Sequence, residues 1–481
     1  MRCFVKYHRL PEKKKWLKKV LIILFWLCVW QLASYLIHNK ILLVGPWQAF
    51  AALLGNMIRP DFWKIVMFSL CRIGLGFFLA LFSGFLLGAF SYRYPILEEF
   101  FSPVMAALKS IPVASFVVLL LIWFGSASLS FFISFLIVFP NVYVNTIAGF
   151  KSTDRQLLEM AKVFHIRGWK RFFYLYRPAF MPYLISCLQI SLGMSWKSGV
   201  AAEVIGMPKY SLGERLYISK IYLDTAGLFA WTLLVILLSF LFEKAVLYLV
   251  KSFGDWKPFV KYDMDAGLSA KSCSGVQVAP AVCIRKISKA YDGQQVLKDF
   301  SFTMEAGGHY CLMAPSGSGK TTLLRLLGRI EKPDSGSIEG VPERIGMVFQ
   351  EDRLCEGYDL ITNVMLAVPC IKNEKKKGRH RQAAREADRI RQEALRILPG
   401  DCLDKPVYEL SGGMRRRCAI LRAMLSGADI LIMDEPFNGL DESARRATAD
   451  YILENLNGRT LLVTTHREED IALLDGQRMN L

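Results

Sequence analysis

Long apolar runs fill the first half of the chain, whereas short apolar runs alternate with polar segments in the second half. An α-helix needs about 20 mostly apolar residues to cross a bilayer. Runs of that kind predict six transmembrane helices, at residues 20–38, 65–90, 101–124, 128–150, 180–205 and 228–250. Five is the alternative count, because Pro103, Lys109 and Pro112 interrupt the third run. The fifth run contains Lys197 and Glu203.

The second half has the pattern of an α/β fold. Residues 251–280 mix polar, Gly and Pro residues without a period and are interpreted as a linker. Beyond them, predicted strands at 281–287, 310–314, 344–349, 430–433 and 460–464 alternate with helical patterns. The predicted organisation is a basic N-terminus at 1–19, an α-helical polytopic membrane domain at 20–250, the linker, and an α/β domain at 281–481.

Composition and charge favour a membrane protein. Hydrophobic residues make up 53% of the chain, above the value of about 45–50% for ordinary soluble domains. The net charge of +18 fits either a nucleic-acid binder or basic cytoplasmic loops. The loop 151–178 carries seven basic and two acidic residues, whereas the loop 206–227 is nearly balanced. By the positive-inside rule, residues 1–19, the loop 151–178 and the α/β domain therefore lie in the cytoplasm.

The cysteines and one basic stretch exclude other classes. The 11 Cys residues include no CxxC pair, so neither a disulfide framework nor a zinc cluster is indicated. In the basic stretch 372–396, Glu386 and Glu393 interleave with the basic residues, and no aromatic residue is available to stack on a base. We therefore predict a solvated helix surface there and no nucleic-acid partner.

Ionisable residues within the apolar runs are candidates for a solute pathway. Such groups are costly in hydrocarbon and commonly face a bundle interior or a water-filled cavity. The candidates are Arg72, Lys109, Lys197 and Glu203, of which we single out Arg72 and Lys197. The alternative is that Arg72 and Lys109 extend to the membrane surface while Lys197 and Glu203 lie in a bent segment. Gly84 and Gly88 form a GxxxG pattern, which either marks close helix contact or arises by chance.

The segment APSGSGKTT follows a predicted strand and precedes a helical run, which is the setting of a phosphate-binding P-loop. In such a loop Lys320 reaches the β and γ phosphates, and Thr321 offers a hydroxyl to magnesium. Ala314 stands where the consensus has its first glycine. The predicted nucleotide-binding residues are Ala314, Pro315, Ser316, Gly317, Ser318, Gly319, Lys320, Thr321 and Thr322.

The segment ILIMDEP, 430–436, predicts a buried strand that ends in two carboxylates. Active sites of α/β proteins form at strand ends. We therefore expect Asp434 to hold magnesium, and Glu435 to orient or deprotonate the attacking water in phosphoryl transfer.

Five further motifs resemble those of ATP-binding cassette (ABC) transporters. They are Tyr291 in ISKAYDG, Gln350 in MVFQED, LSGGM at 410–414, NGLD at 438–441, and His466 in LLVTTHRE. The resemblance implies that Tyr291 stacks on adenine, and that Gln350 and His466 assist Glu435 in catalysis. It makes Gln350 a further magnesium ligand beside Thr321 and Asp434. It also implies that Ser411, Gly412 and Gly413 face the nucleotide of a second subunit, and that Asp441 belongs to the D-loop.

The predicted cytoplasmic loop resembles the EAA coupling loop of ABC import permeases. The matching residues are Glu159, Ala161, Pro178 and Pro182, whereas His165 takes the place of the usual glycine. A basic amphipathic linker helix is the alternative interpretation. The segments at 69–77, 109–112 and 195–206 add a resemblance to permeases of the nitrate, sulfonate and taurine group.

These resemblances imply a type I importer-like permease fused to its own cassette. ATP and Mg²⁺ would be the cofactors, and two chains would pair as a homodimer, or with a similar fused chain, in the lipid bilayer of the cytoplasmic membrane. An extracytoplasmic solute-binding protein would deliver the cargo, a sulfonate-, nitrate- or taurine-like anion or a vitamin precursor. The alternatives are an ABC exporter and a non-transporting membrane ATPase that acts as a sensor or gate.

Overall fold

The chain forms two compact units. In the computed structural model the described residues are 12–39, 41–255, 281–315, 317–368 and 376–481. The first unit, here called the helical unit, ends at Asp255 and leaves out Ser152–Ala179. Ser152–Ala179 belong to the second unit, together with the residues from 281 onward. The second unit is here called the α/β unit. Residues 1–11 of the predicted basic N-terminus and residues 256–280 of the predicted linker lie outside the described part of the chain.

Nine helices are described in the helical unit. They are α1 Glu12–Ile37, α2 Pro46–Met57, α3 Phe62–Arg93, α4 Pro95–Ser110, α5 Val113–Phe124, α6 Leu129–Lys151, α9 Arg177–Gly206, α10 Leu212–Ile221 and α11 Thr225–Asp255. Each predicted span corresponds to a helix or to the α4–α5 pair. Two short helices, α2 and α10, were not predicted.

By length and apolar composition, fewer helices qualify as membrane spans in the described residues than the six predicted. Among the described residues four helices are long and apolar enough to cross a membrane, namely α1, α3, α6 and α11. The pair α4–α5 becomes a fifth span if it is counted as one, although it bends by 100° at Ile111 and Pro112. Helix α9 is continuous but does not meet the same criterion. Its polar residues, Lys197 and Glu203 among them, reduce its apolar character. The sixth span therefore stays a prediction.

The Gly84–Gly88 pair marks a close contact between α3 and α6. A Cβ at Gly88 would lie 2.8 Å from the Cβ of Thr146, and one at Gly84 would lie 3.0 Å from the Cβ of Val142. Gly76, two turns earlier, would meet the backbone oxygen of Phe131 at 2.2 Å. Small residues let helices approach closely where the surrounding lipid supplies no hydrophobic driving force.

Eight strands build the α/β unit in its described residues. They are β1 Val282–Tyr291, β2 Gln294–Met304, β3 His309–Met313, β4 Ser335–Glu339, β5 Ile345–Val348, β6 Ile430–Asp434, β7 Thr460–Thr464 and β8 Gln477–Asn480. An antiparallel sheet has the order β2–β1–β4, and a parallel sheet has the order β5–β6–β7–β3–β8. All five predicted strands are confirmed. The three missed strands are β2, β4 and β8. Most of their positions are exposed, so they lack a continuous apolar run.

The register of the parallel sheet brings the functional segments to one edge. Asp434 at the end of β6 pairs with Thr464 at the end of β7, and Leu312 of β3 pairs with the same threonine. The residues that follow these three strands therefore meet at the carboxyl edge of the sheet, where sites of α/β proteins form.

The described helices of the α/β unit surround these sheets. They are α7 Arg155–Val163, α8 Gly168–Arg171, α12 Lys320–Leu327, α13 Leu360–Met365, α14 Lys376–Leu395, α15 Gly412–Leu425, α16 Glu442–Glu454 and α17 Glu468–Leu473. Helix α14 carries most of the predicted basic surface. Its described side chains form ion pairs, including Arg389 with Glu386 at 3.2 Å and Arg391 with Asp404 at 2.6 Å. Residues 369–375 lie outside the described part.

The coupling loop, residues 152–179, packs within the α/β unit. Asp154 caps α7, its carboxylate accepting the backbone N–H of Gln156 at 2.8 Å. Buried Met160, Phe164 and Ile166 join the same apolar core as the sheet strands. His165 has φ of +52°, the left-handed conformation that glycine adopts most readily. The tight turn therefore forms although the usual glycine is absent.

Candidate nucleotide-binding site and coupling loop

The P-loop residues adopt the backbone that phosphate binding requires. Gly317 and Gly319 have φ of +83° and +98°, whereas Ala314 is not among the residues with positive φ. Alanine at 314 is therefore compatible with the turn. The ammonium of Lys320 donates to the backbone oxygens of Ala314 and, at 3.2 Å, Pro315. Thr322 lies in the first turn of α12, and Ser316 lies outside the described residues.

Thr321 and Asp434 form an oxygen-lined corner at the start of α12. The Thr321 hydroxyl donates to Asp434 at 3.1 Å, and the Thr464 hydroxyl donates to the other carboxylate oxygen at 2.6 Å. Asp434 is only 4% exposed. Mg²⁺ prefers one or two hard oxygen ligands together with substrate phosphates, so this donor set fits it. The Ser318 hydroxyl is buried without a hydrogen-bond partner among the described residues, as expected of a group that awaits an acceptor.

Glu435 and His466 face each other across the ends of β6 and β7. The Glu435 carboxylate lies 2.9 Å from His466 Nε2, and the same nitrogen lies 3.4 Å from the Lys320 ammonium. Glu435 has φ of +47°, a conformation uncommon for a residue with a side chain. Its backbone N–H donates to the Thr464 hydroxyl at 3.0 Å, which holds that conformation. A carboxylate and an imidazole thus lie beside the Lys320 ammonium.

The Gln350 side chain is held less tightly than those of Glu435 and His466. It is exposed, and its backbone oxygen accepts from Arg416 at 3.2 Å. Among the described residues no hydrogen bond joins its side chain to Thr321, Asp434 or Glu435. The predicted grouping of Gln350 with the magnesium ligands is thus not formed by side-chain contact in this conformation.

The signature and D-loop residues occupy helix starts. Ser411 caps α15, its hydroxyl accepting the Met414 N–H at 3.4 Å, and Gly412 and Gly413 form the first turn. Asp441 caps α16, accepting the Ala444 N–H at 2.7 Å. This backbone hydrogen bond, together with that of Ser443, lowers the pKa of Asp441. Ser411 and Asp441 are both exposed.

Tyr291 ends β1 with its ring 39% exposed. Its hydroxyl donates to the carboxylate of Glu331, and the Lys289 ammonium lies 5.6 Å from the ring centroid. An exposed ring face held by its hydroxyl can stack on a base.

Glu159 connects the coupling loop to both nucleotide segments. Its carboxylate accepts two hydrogen bonds from Arg325 on α12, at 2.9 and 3.0 Å, and one from Arg353 at 2.9 Å. Arg353 follows Gln350 by three residues. Burial opposes ionisation of Glu159, but the two guanidinium groups outweigh it and hold its pKa below the usual value. Ala161 is buried on the same helix and packs in the core, so the two matched residues have different roles.

Arg416 is a functional residue that sequence reasoning missed. It is 3% exposed, and its guanidinium donates to the backbone oxygens of Glu435 at 2.7 Å and Pro436 at 3.3 Å, and also to that of Asp434. It further bonds the Gln350 oxygen and the Asp352 carboxylate, the latter at 3.2 Å. One side chain thus ties the signature helix to the segment after Gln350 and to the end of β6. The only sequence signal was the run Arg415–Arg417, which does not indicate which arginine is buried.

Arg422 on the same helix was also missed. It donates to the backbone oxygens of Arg353 and Asp352 at 2.7 and 3.0 Å, and its guanidinium lies 5.0 Å from the Phe164 ring centroid. Burial lowers its pKa to about 10. The signature helix therefore reaches the coupling loop through Arg422.

The two candidate pathway residues belong to the helical unit. Arg72 is half-buried on α3, lies over the Phe68 ring at 5.6 Å and donates to the Lys209 backbone oxygen at 3.4 Å. Lys197 on α9 is exposed. By contrast Glu203, a further ionisable residue within an apolar run, is completely buried, and its carboxylate accepts from the Ser69 hydroxyl at 2.8 Å.

Two family models match the chain. One, described as ABC transporter, matches residues 297–438. The other, described as binding-protein-dependent transport system inner membrane component, matches residues 76–254. The first range contains the P-loop, the signature and Glu435. The second contains α3 from Gly76 onward, the helices that follow as far as Gly254, and the coupling loop.

Curated relatives match the α/β unit. Nod factor export ATP-binding protein I of Burkholderia lata is 34% identical over 205 residues, which cover 40% of this chain and 64% of the relative. Sulfate/thiosulfate import ATP-binding protein CysA of Synechococcus elongatus is 33% identical, with coverage of 41% and 59%. The chain thus spans less than two thirds of the length of these relatives. Aliphatic sulfonates import ATP-binding protein SsuB 1 of Paracoccus denitrificans is 33% identical, with coverage of 41% and 77%.

A solved dimeric structure of an ATP-binding cassette in a post-hydrolysis state, bound to ADP and Pi, covers 42% of this chain and 94% of its own. Its identity is 25% and its TM-score is 0.36, too low to support a structural argument. The two family models and the sulfonate relative show the family of this chain without that structure. The chain belongs to the ABC transporter family and joins, in one polypeptide, a permease domain of the binding-protein-dependent, import type to an ABC ATPase domain.

Proposed function

We propose that the protein is an ATP-driven importer of a small solute across the cytoplasmic membrane. Two copies, each with one permease domain and one cassette, would work with an extracytoplasmic solute-binding protein. The observation that carries the proposal is the match of residues 76–254 to a binding-protein-dependent permease on the same chain as the cassette. The contact of Glu159 with Arg325 and Arg353 supports it, because an import permease must transmit the nucleotide state through this loop.

In the proposed cycle ATP binds between two cassettes, with the adenine on Tyr291 and the phosphates on the P-loop. Glu435 accepts the proton of the attacking water, and His466 holds that carboxylate in position at 2.9 Å. Thr321, Asp434 and, after a rearrangement of its loop, Gln350 would hold Mg²⁺, which supplies positive charge to the transferring phosphoryl group. Ser411, Gly412 and Gly413 would offer a helix N-terminus to the nucleotide of the partner copy, and Asp441 would act as the D-loop aspartate.

We propose a sulfonate-, nitrate- or taurine-like anion, or a vitamin precursor, as the cargo. Two of the relatives are named for sulfonate and sulfate import, which supports an oxyanion. Arg72 is a half-buried cation on a membrane helix, and Lys197 is a second cation on α9. A pathway for anions needs such groups, although they do not by themselves distinguish one anion from another.

The exporter alternative is supported by the Nod factor export relatives, which match only the cassette. The connection between α3 and α4 argues against it. Helix α3 ends at Arg93 and α4 begins at Pro95, so a single residue separates them. ABC exporters typically extend their helices far beyond the membrane at the cytoplasmic side, whereas the inside loop predicted at 91–100 is short.

Uptake by intact cells of the native host tests the proposal. Cells that carry either the wild-type chain or Glu435→Gln would be given labelled taurine, an alkanesulfonate, nitrate and a pyrimidine vitamin precursor. We expect at least one solute to accumulate only with the wild-type chain. Glu435-dependent loss of a preloaded compound, with no uptake, would favour the exporter. ATP hydrolysis that depends on Glu435 without movement of any solute in either direction would favour the sensor or gate.

A further inference from the structure

A chain of hydrogen bonds leads from the adenine side of the nucleotide site to the coupling loop. The Tyr291 hydroxyl donates to one oxygen of Glu331, and the other oxygen of Glu331 accepts from Arg325 Nε at 2.6 Å. The two terminal nitrogens of Arg325 donate to Glu159 at 2.9 and 3.0 Å. One guanidinium is thus shared between a carboxylate beside Tyr291 and a carboxylate of the coupling loop.

The three side chains that form this series of hydrogen bonds are held firmly. The side chains of Glu159, Arg325 and Glu331 are 15%, 21% and 24% exposed. Burial opposes ionisation of Glu331, but the bonds from Tyr291 and Arg325 outweigh it and keep its pKa below the usual value. Burial and the neighbouring carboxylate raise the pKa of Tyr291, so its hydroxyl stays protonated and donates. Charge-assisted bonds of this kind are short and directional.

Arg325 is suited to transmit an orientation. A guanidinium is planar and rigid, and here it uses Nε for Glu331 and both terminal nitrogens for Glu159. A displacement of Glu331 therefore rotates the face that Arg325 presents to Glu159. A cavity of about 500 Å³, lined by Tyr291, Glu331, Arg325 and Glu159, borders the same side chains and leaves room for that motion.

Glu159 also receives Arg353 from the segment after Gln350, at 2.9 Å. Two separate routes therefore end on one carboxylate. The route through Arg353 starts near the γ-phosphate side of the site, whereas the route through Arg325 and Glu331 starts at Tyr291.

We propose that Glu331 is a positioning residue that couples the base-stacking state of Tyr291, through Arg325, to the coupling-loop carboxylate Glu159. The proposal rests on the proposed function, in which Tyr291 stacks on adenine and the loop transmits the nucleotide state. When the Tyr291 ring moves onto a base, its hydroxyl shifts Glu331, and Arg325 passes the shift to the loop. The loop thereby responds to the base of the nucleotide as well as to its γ-phosphate.

Hydrogen exchange of helix α7 in the coupling loop tests this coupling, with the full-length chain in lipid nanodiscs. The Glu435→Gln background prevents hydrolysis, and MgATP is added at saturation for each variant. The readout is the ATP-induced change in deuterium uptake over residues 155–163. Glu331→Ala should reduce this change to half or less, because it removes the bridge, whereas its ATP affinity should stay within about twofold, since Glu331 does not touch nucleotide. Glu331→Gln keeps an acceptor and should restore part of the response.

Glu339→Ala is the matched control, since it removes a carboxylate of the same unit whose ion pair with Arg285 is exposed. It should leave the response unchanged. Tyr291→Phe removes only the hydroxyl and should reproduce the loss seen with Glu331→Ala at saturating ATP. A full response in both Glu331→Ala and Tyr291→Phe would overturn the proposed coupling. The proposed function is tested separately by Tyr291→Leu: if that variant bound ATP as tightly as the parent, the adenine role of Tyr291 would be wrong.

Discussion

Glu159 of the coupling loop and Arg353, which follows Gln350 by three residues, form an ion pair at 2.9 Å. The arginine side chain is only 7% exposed. The backbone of Arg353 is unusual, with φ of +46°, and its guanidinium lies 4.0 Å from the Phe349 ring centroid. The segment that contains Gln350 is thus shaped so that its arginine reaches the loop. A change in that segment is expected to move the loop with it.

Removal of the Glu159 carboxylate should detach the coupling loop. Glu159→Ala leaves Arg325 and Arg353 without their shared acceptor, and breaking a buried pair in this way costs about 3 kcal/mol. We expect faster hydrogen exchange over residues 155–163 and ATP hydrolysis that continues without transport. Arg155→Ala is the control, because Arg155 also faces Glu159, at 3.7 Å, but is 91% exposed. It should change local stability by less than about 1 kcal/mol. If transport and hydrolysis both survived Glu159→Ala, this loop would not be the coupling element.

The contact should be insensitive to pH near neutrality and fail in acid. The pKa of Glu159 is lowered from 4.5 when the loop is docked, so docking is favoured by the ionised form. Its stabilisation is therefore fully present above pH 4.5 and is lost as the pH falls through the lower, docked pKa. The protection factor over residues 155–163, which removes the intrinsic pH dependence of amide exchange, should be constant from about pH 5 to 8 and fall below about pH 4.5. Glu159→Gln should remove that acid step, and an unchanged step in the variant would assign it to another group.

Glu435→Gln should retain ATP binding and lose hydrolysis. The amide cannot accept the proton of the attacking water, and general-base catalysis contributes about 100-fold or more. Phosphate release should fall by at least that factor, while bound ATP accumulates on a closed pair of cassettes. Glu454→Gln, an exposed carboxylate on α16 that pairs with Arg396, should hydrolyse ATP normally. Wild-type turnover in Glu435→Gln would remove this residue from the catalytic role.

Arg416→Ala should destabilise the α/β unit and abolish hydrolysis together. The substitution leaves the backbone oxygens of Glu435 and Pro436 and the Asp352 carboxylate without their donor, at a cost of about 3 kcal/mol or more. Arg416→Lys should not rescue it, because an ammonium cannot serve so many acceptors in a fixed plane. Arg446→Ala removes an exposed arginine on α16 and should leave the thermal midpoint nearly unchanged. A stable, active Arg416→Ala variant would show that the segment after Gln350 is held by other contacts.

The left-handed residue in the coupling turn predicts different local stabilities for its glycine and alanine variants. Both His165→Gly and His165→Ala lose the ring contact with the Glu343 backbone oxygen, at 3.1 Å. They differ in the cost of φ +52°, which is about 1–2 kcal/mol for a residue with a Cβ. Local opening measured by hydrogen exchange over residues 161–168 should therefore be less favourable in the glycine variant by that amount. Equal exchange in the two variants would mean that the turn does not keep this backbone in solution.

Several features of the fold were predictable because they depend on local chemistry. The apolar lengths predicted the membrane helices, and the fully buried strands β5, β6 and β7 appeared as continuous apolar runs. The edge strand β8 and the strands β2 and β4 of the antiparallel sheet were missed, because most of their positions are exposed, which weakens the same signal. The sixth predicted span stays a prediction, since α9 forms a continuous helix without being apolar enough to meet the criterion for a span.

The sequence by itself determined the chemistry of the nucleotide site. Lys320, Thr321, Asp434 and Glu435 stand in short motifs, and such motifs are local because a P-loop or a strand end needs its residue types at fixed spacing. Only the tertiary structure decided which arginines connect these motifs. Arg325, Arg353 and Arg416 occur among many basic residues, and their partners are up to 194 positions away. Pairing over such distances depends on how helices and loops pack, and no local pattern encodes it. For the same reason the sequence could propose Glu159 as the coupling residue, whereas only the fold identified the two guanidinium groups that hold it.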